Sequence, residues 1–343
     1  MRESPTPRQM AKGLLSGNLP PAPLFLPIVF SLGARVENLP LRPFLSNPTK
    51  ISNSLRQIRS HLRADGVACY FDPLLEAEAL GATLDWKTEN GPAMLQWPRH
   101  PAKGELPEGL RSPEEAVESG RVPVAVEVLR RINAMPRREF LLMAGISGPF
   151  TLAARLSQLE QEEKLRVKDL PEAALELAAS VITKVASVFV EAGADAIFIQ
   201  EDVLPTLDAA RSAAWASLLA PAINVVRFYG ALPVLTLTNG QSFKENSGAI
   251  FEQQWDCVVC APLGGLPSPR PDGCSASQGA MLGISLPLEA FRADEPGSED
   301  SYKAVRAIAS ELRPVVLTTA GDVPRTTDMK HLARVFEVVP RTV

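Results

Sequence analysis

The chain has 343 residues, with 35 basic and 39 acidic side chains and a formal charge of −4. Apolar residues make up 45% of it and charged residues 22%, ordinary globular usage that excludes wholesale disorder. The near balance of charge, without a basic run, excludes the electrostatic footprint of a nucleic-acid binder.

Proline is over-represented, 31 residues or about 9% against a usual value near 5%. Many of these prolines stand at the edges of short apolar runs. In chain order the runs are PLFLPIVF (23–30), GVACYF (66–71), FLLMAGI (140–146), AIFIQ (196–200), PVLTLT (233–238), CVVCA (257–261), AMLGIS (280–285) and PVVLTT (314–319). Near-continuous apolar runs bounded by turn chemistry predict strands buried on both faces, as in a parallel sheet covered by helices. Helix-period segments lie between them, at 48–63, 113–132, 171–192, 206–229, 243–254, 300–312 and 326–338. Asn-Pro opens the first, Ser-Pro-Glu-Glu opens the second, and Gly193 is placed to end the third. Strands alternating with helices eight times over predict an α/β fold, a single (β/α)8 TIM barrel. Two long Pro- and Gly-rich stretches, 81–121 and 263–277, predict loops over the mouth after the second and sixth strands. Residues 1–22 form an N-terminal lead, and 23–343 the barrel.

The apolar stretch at 13–33 is broken by Asn18 and four prolines, so no membrane span is expected. The first ten residues lack the pattern of a secretory signal, and four cysteines are no disulfide framework. A reducing cytoplasm is the expectation.

In a barrel of this kind the chemistry sits where the strands end. Those ends offer Asp72 after the second run, Ser147 after the third, Glu201 and Asp202 after the fourth and Asn239 after the fifth. Asp72, Glu201 and Asp202 are the candidate catalytic residues. Three carboxylates at one mouth repel one another and raise at least one pKa unless something compensates, which suits acid/base work. Capping of the following helix competes for Glu201 and Asp202. Glu78 reads as a solvated residue at a helix start, and at most one of Glu76 and Glu78 shares the side of Asp72. Arg35, in a Gly-containing turn after the first run, is a candidate for holding an anion, with a surface pair to Glu37 as the alternative. Ser147, Asn239 and Arg155 complete the substrate-binding candidates. Cys257 and Cys260 are spaced C-x-x-C, but within a strand residues three apart face opposite sides, so buried structural cysteines are expected rather than a metal knuckle. His61 and His331 fall on helix patterns and His100 in a long loop. No Walker, Rossmann, zincin or nucleophile-elbow motif occurs.

Three segments carry a resemblance: ADGVACYFDPLLEAEALGATLDW (64–86), GISGPFTLAARL (145–156) and FVEAGADAIFIQED (189–202). In order and spacing they resemble the uroporphyrinogen decarboxylase superfamily, and with residues 23–50 the likeness spans most of the first 240 residues. The resemblance implies a TIM barrel and one of two chemistries, decarboxylation of porphyrinogens or corrinoid-linked methyl transfer. For the decarboxylases it implies an arginine-rich turn after the first strand; here SLGARVEN (31–38) has Leu32 at the first arginine's place and Arg35 as its remaining cation. Asp72 matches the aspartate that such enzymes use on pyrrole N–H groups. Arg155 stands in the tyrosine's place, TTAGDVP (318–324) replaces a Gly-His turn and GISLP (283–287) replaces G-N-L-D-P. For the methyltransferases it implies a thiol-activating zinc ion held by H-x-C after strand five and Cys after strand eight. Thr236, Thr238 and Thr319 or Ala320 occupy those places, so no zinc site is expected. The leading expectation is therefore a corrinoid (cobalamin)-linked methyltransferase-like enzyme without that zinc site. It would act on a small molecule, with a corrinoid protein and a second copy of itself as candidate partners. A tetrapyrrole decarboxylase with altered carboxylate-binding residues, needing no cofactor, and a non-catalytic tetrapyrrole-binding barrel are the alternatives.

Overall fold

The computed structural model describes residues 5–62, 64–91, 93–97, 104–160, 166–253, 255–262, 281–291 and 314–338. The predicted loop 263–277, with Cys274, and the predicted helix 300–312 lie outside them, as does His100.

Ten strands follow in chain order among the described residues. They are β1 (Leu24–Phe25), β2 (Gly66–Tyr70), β3 (Thr83–Trp86), β4 (Ala93–Gln96), β5 (Leu141–Ser147), β6 (Ala196–Glu201), β7 (Leu232–Leu237), β8 (Val258–Pro262), β9 (Met281–Leu286) and β10 (Val316–Thr319). Eight of them pair in parallel, in the order β1-β10-β9-β8-β7-β6-β5-β2. With the surrounding helices they form the predicted (β/α)8 barrel. Leu142, Ile197, Val234, Val259 and Leu317 are completely buried, as residues covered on both faces must be.

All eight predicted runs carry a strand. The first is cut to two residues because Pro27 lacks the N–H that a ladder needs. Hydroxyls substitute for the lost ladder: Thr318 Oγ1 donates to the Leu26 carbonyl at 2.8 Å, and the Ile28 N–H donates to Thr319 Oγ1 at 3.0 Å. Asp65 spans the seam between β1 and β2. Its N–H donates to the Phe25 carbonyl at 3.1 Å and its Oδ2 accepts from the Phe25 N–H at 2.8 Å.

The excursion at 81–121 is more structured than a loop. It holds the antiparallel hairpin β3–β4 and a short helix, Pro113–Ala116, opened by a Ser112–Glu115 capping box. The predicted helix 113–132 is divided there, because Gly120 adopts φ 58° before a second helix begins at Val122. The N-terminal lead carries a helix, Pro7–Leu15, in addition to the predicted elements. Its Thr6–Gln9 capping box starts it, and Met10, Ala11 and Leu14 are buried in the main core. The helix Glu172–Glu191 has the length and apolarity of a membrane span. Here it packs on β5 and β6, and buries Ala178, Val181, Ile182 and Val185. Gly193 follows it with φ 106°, as its predicted role in ending the helix requires.

Candidate active site

The parallel register brings Ser147 beside Gln200, Glu201 beside Leu237 and Thr236 beside Cys260, so the residues that follow share one rim. Four groups of polar side chains gather there.

Asp72 leaves β2 and meets Arg121, the residue before the helix Val122–Asn133. The Arg121 Nη1 group donates to Asp72 Oδ2, and its Nε donates to Glu78 Oε2 at 2.6 Å. The arginine and aspartate side chains are 7% and 8% exposed, so this pairing lies largely out of water. Burial works against the Arg121 charge, but Asp72, Tyr70 and Glu78 outweigh it and hold the guanidinium firmly protonated. Burial also pushes the neighbouring Tyr70 phenol up, and its hydroxyl donates to the Leu45 carbonyl at 2.8 Å. Glu78, expected in solvent, is therefore an ion-pair partner of a buried cation. A cavity of about 300 Å³ opens beside this group, lined by Arg42, Ser46, Glu78, Thr83, Trp86 and Arg121 among others.

Arg155 organises a second group from the helix Pro149–Leu156 that follows β5. It donates through Nη1 to Ser147 Oγ at 2.8 Å and to the Pro73 carbonyl at 2.7 Å, and through Nη2 to Asp202 Oδ2 at 2.9 Å. Asp202 Oδ1 accepts from the Thr238 hydroxyl at 2.7 Å, and 38% of the Asp202 side chain remains exposed. Glu76, completely buried, accepts from both the N–H and the hydroxyl of Ser147 at 2.9 Å. Burial is the main reason that its carboxyl is pushed above the usual range.

Glu201 lies just under the rim. Its oxygens accept four hydrogen bonds: from the Phe150 N–H at 3.1 Å, Trp215 Nε1 at 2.9 Å, the Thr151 N–H at 2.9 Å and the Thr151 hydroxyl at 2.7 Å. A carboxylate has about four lone-pair sites, so all are occupied. Two donors are orphan amides at a helix start, which makes Glu201 the anchor of the Pro149–Leu156 helix. Burial pushes its pKa up to about 7, against the opposing pull of those hydrogen bonds.

Asp322 forms the fourth group, in the turn after β10. It accepts from the Phe30 and Ser31 N–H groups, each at 2.8 Å. Burial lifts its pKa to about 6, with a contribution from Asp72.

The structure thus brings Asp72, Ser147, Arg155 and Asp202 to one mouth and packs Glu201 beneath it. The predicted repulsion among three carboxylates is compensated separately at each one: Arg121 answers Asp72, Arg155 answers Asp202 and neutral donors answer Glu201. Arg35 is exposed and donates to the Thr326 and Thr327 carbonyls at 3.0 and 3.1 Å, while Glu37 pairs with Lys50 at 2.9 Å instead. Asn239 is exposed where β7 gives way to a helix, its carbonyl accepting from the Phe243 N–H. Cys257 and Cys260 are buried free thiols, and burial pushes Cys257 up to about 12.

Arg121, Glu76 and Asp322 were missed as site residues. Arg121 is 49 positions from Asp72 and carries no local signal. Asp322 stands three residues past Thr319, where reading one step further beyond the strand end would have found it. Glu76 is i+4 from Asp72 on a five-residue helix, Leu75–Ala79, a spacing that says only that one of two acids turns inward.

The donor set at the places implied for zinc does not fit that ion. Thr238 donates to Asp202, and Thr319 donates to the Gly321 carbonyl at 2.6 Å; neither offers a thiolate or an imidazole. Among the described residues no three or more His, Cys, Asp or Glu side chains converge as metal ligands.

The uroporphyrinogen decarboxylase (URO-D) family profile matches residues 31–224, more than half of the chain. The chain belongs to the URO-D family. Two curated relatives, both named methylcobamide:CoM methyltransferase MtaA, come from Methanosarcina barkeri. One is 28% identical and the other 27%, each over 128 residues that make 37% of this chain and 37% of the relative. The likeness to these relatives therefore spans little more than a third of their length. A solved methyltransferase from Methanosarcina mazei superposes with a TM-score of 0.75 at 19% identity, covering 97% of this URO-D-family chain and 98% of its own. That likeness confirms the barrel.

Proposed function

We propose that this URO-D-family protein is an enzyme of methyl transfer, with a corrinoid on a partner protein as the methyl carrier and a group other than a zinc-bound thiolate as the second reactant. The observation that carries this reading is the Arg155–Asp202–Thr238 arrangement. A carboxylate partly open to solvent accepts from the hydroxyl of Thr238, the residue at one of the places where thiol activation would need a soft zinc ligand. The sequence likeness to the MtaA methyltransferases supports the corrinoid. The commitment of Arg121 and Arg155 to resident carboxylates argues against a polyanionic porphyrinogen, whose carboxylates need uncommitted cations.

In this reading Asp202 handles the proton. The corrinoid on the partner protein would supply the methyl group, and an acceptor X–H that takes it would give up its proton. The proton of X–H then passes to Asp202. Asp72, held by Arg121, anchors a polar part of the substrate. Asn239 orients it from the rim after β7, and Arg35 has further N–H donors for an anionic portion. Glu201 serves by holding the helix that carries Arg155. A homodimer and a cytoplasmic location complete the reading.

The test is methyl transfer between methylcobalamin and a panel of O–H, N–H and S–H acceptors, and the reverse from methylated donors to cob(I)alamin. Turnover in either direction, lowered about a hundredfold by Asp202→Asn, is expected for loss of a proton-handling group. Consumption of uroporphyrinogen by the same preparation, abolished by Asp72→Asn, would replace this reading with the decarboxylase. Tight tetrapyrrole binding without turnover of any kind would replace it with a binding protein.

A further inference from the structure

Glu76 has no part in the reaction just described, yet it is the most deeply buried acid of the mouth. Its two oxygens receive the N–H and the hydroxyl of the same residue, Ser147. A serine hydroxyl has one proton and two lone pairs. With that proton given to Glu76, only lone pairs face Arg155, whose Nη1 donates into them at 2.8 Å. The Pro73 carbonyl takes a further hydrogen bond from Nη1, which fixes the guanidinium plane. Nη2 then points at Asp202 Oδ2, 2.9 Å away, and Thr238 holds the other oxygen. The chain of contacts joins the ends of four neighbouring barrel strands, β2, β5, β6 and β7.

We infer that Glu76 is the positioning residue of this mouth: it fixes the polarity of the Ser147 hydroxyl and so aims Arg155 at Asp202. The inference rests on the proposed role of Asp202 for its importance to turnover, but its geometry stands independently. A residue that merely filled the core would need only size and one acceptor for the Ser147 N–H. Glu76 supplies two acceptors facing two donors, and a glutamine of equal volume cannot. Either orientation of the amide sets its NH2 group against a Ser147 donor. The hydroxyl must then turn its proton toward Arg155 or leave it without an acceptor.

The experiment uses the full-length protein labelled with 15N-arginine, with the Arg155 side-chain signals assigned through Arg155→Lys. In the wild type the Arg155 Nη groups are expected as separate, slowly rotating signals, because both are held. In Glu76→Gln those signals collapse while the circular dichroism spectrum stays that of the folded barrel. Ser147→Ala cuts the same link from an uncharged residue and gives the same collapse, which keeps the test available should Glu76→Gln not fold. Unchanged Arg155 signals in either folded variant overturn the inference. So does a loss of thermal stability with the Arg155 signals intact, the signature of a purely structural acid. In the methyl-transfer assay Glu76→Gln lowers kcat by about a hundredfold with KM for the corrinoid unchanged, the scale on which misplacement acts. If the wild type turns nothing over while its Arg155 signals still depend on Glu76, the proposed function fails and the positioning link stands.

Discussion

Arg121 is a single buried cation between two carboxylates, and its removal has a definite sign. Replacing it with methionine keeps much of the side-chain volume but leaves Asp72 and Glu78 facing each other without a counter-charge. Breaking a buried pair in this way costs about 3–5 kcal/mol. Arg121→Met is therefore expected to lower the unfolding free energy by that margin at neutral pH, read as a lower urea midpoint, and to recover part of it at pH 4, where the carboxyls can protonate. A midpoint unchanged at pH 7 would mean that solvent already screens the pair. Glu201 gives the opposite pH dependence. Its folded pKa, about 7, lies above the ordinary 4.5, so the folded state holds the proton more tightly. Its contribution is fully present below pH 4.5 and is lost as pH rises through about 7, on the order of 3 kcal/mol in all. Asp322, lifted from 3.8 to about 6, acts in the same direction. Unfolding free energy measured from pH 5 to pH 8 should fall in the wild type, and most of that slope should vanish in Glu201→Gln.

Packing of one element on the next explains what the sequence disclosed and what it withheld. The eight strands were legible because each is an apolar run closed by turn residues, and burial on both faces demands that composition. The hairpin β3–β4 was not, since Thr83–Trp86 and its partner Ala93–Gln96 are mostly half-exposed and mixed in polarity. The partners of the site were hidden for a different reason. Asp72 and Asp202 stand at strand ends, where position alone marks them, but Arg121 and Glu76 act through contacts that only the closed barrel makes. Gly148 shows the same limit. It reads as an ordinary glycine in SGPF, yet a Cβ there would overlap the Glu201 carboxyl that anchors the next helix. Gly148→Ala must push that carboxyl off the Phe150 and Thr151 amides. A destabilisation of about 1–3 kcal/mol is expected, as for overpacking elsewhere. Chemical denaturation with an unchanged m value would register it, and wild-type stability in the variant would show that Glu201 can move at little cost.

Across the whole molecule, the two ends of the barrel are built for different purposes. At the end where strands begin, two aspartates repeat one device. Asp65 exchanges hydrogen bonds with Phe25 while its carbonyl accepts from Leu141 N–H at 2.8 Å. Asp195 does the same with Leu142 and accepts from Leu232 N–H at 2.8 Å. Arg8, on the N-terminal helix, and Arg138 both pair with Asp195, so the lead is clamped to the barrel floor. These contacts hold neighbouring strands in register. The acids at the other end, Asp72 and Asp202, lie near the mouth, with the length of a strand between, about 17 Å for five residues. Sites so separated should act independently. Asp65→Ala is expected to lose about 1–3 kcal/mol, the cost of leaving the Phe25 N–H without its acceptor at the seam, and to speed hydrogen exchange at Phe25. Its turnover in the proposed methyl-transfer reaction, measured well below its melting temperature, should match the wild type. Asp202→Asn should show the converse, near-normal stability and lost turnover, and the double variant should show the sum of both. Coupling between the two beyond about 0.5 kcal/mol would mean that the floor sets the geometry of the mouth, and that the seam at β1 and β2 belongs to the site.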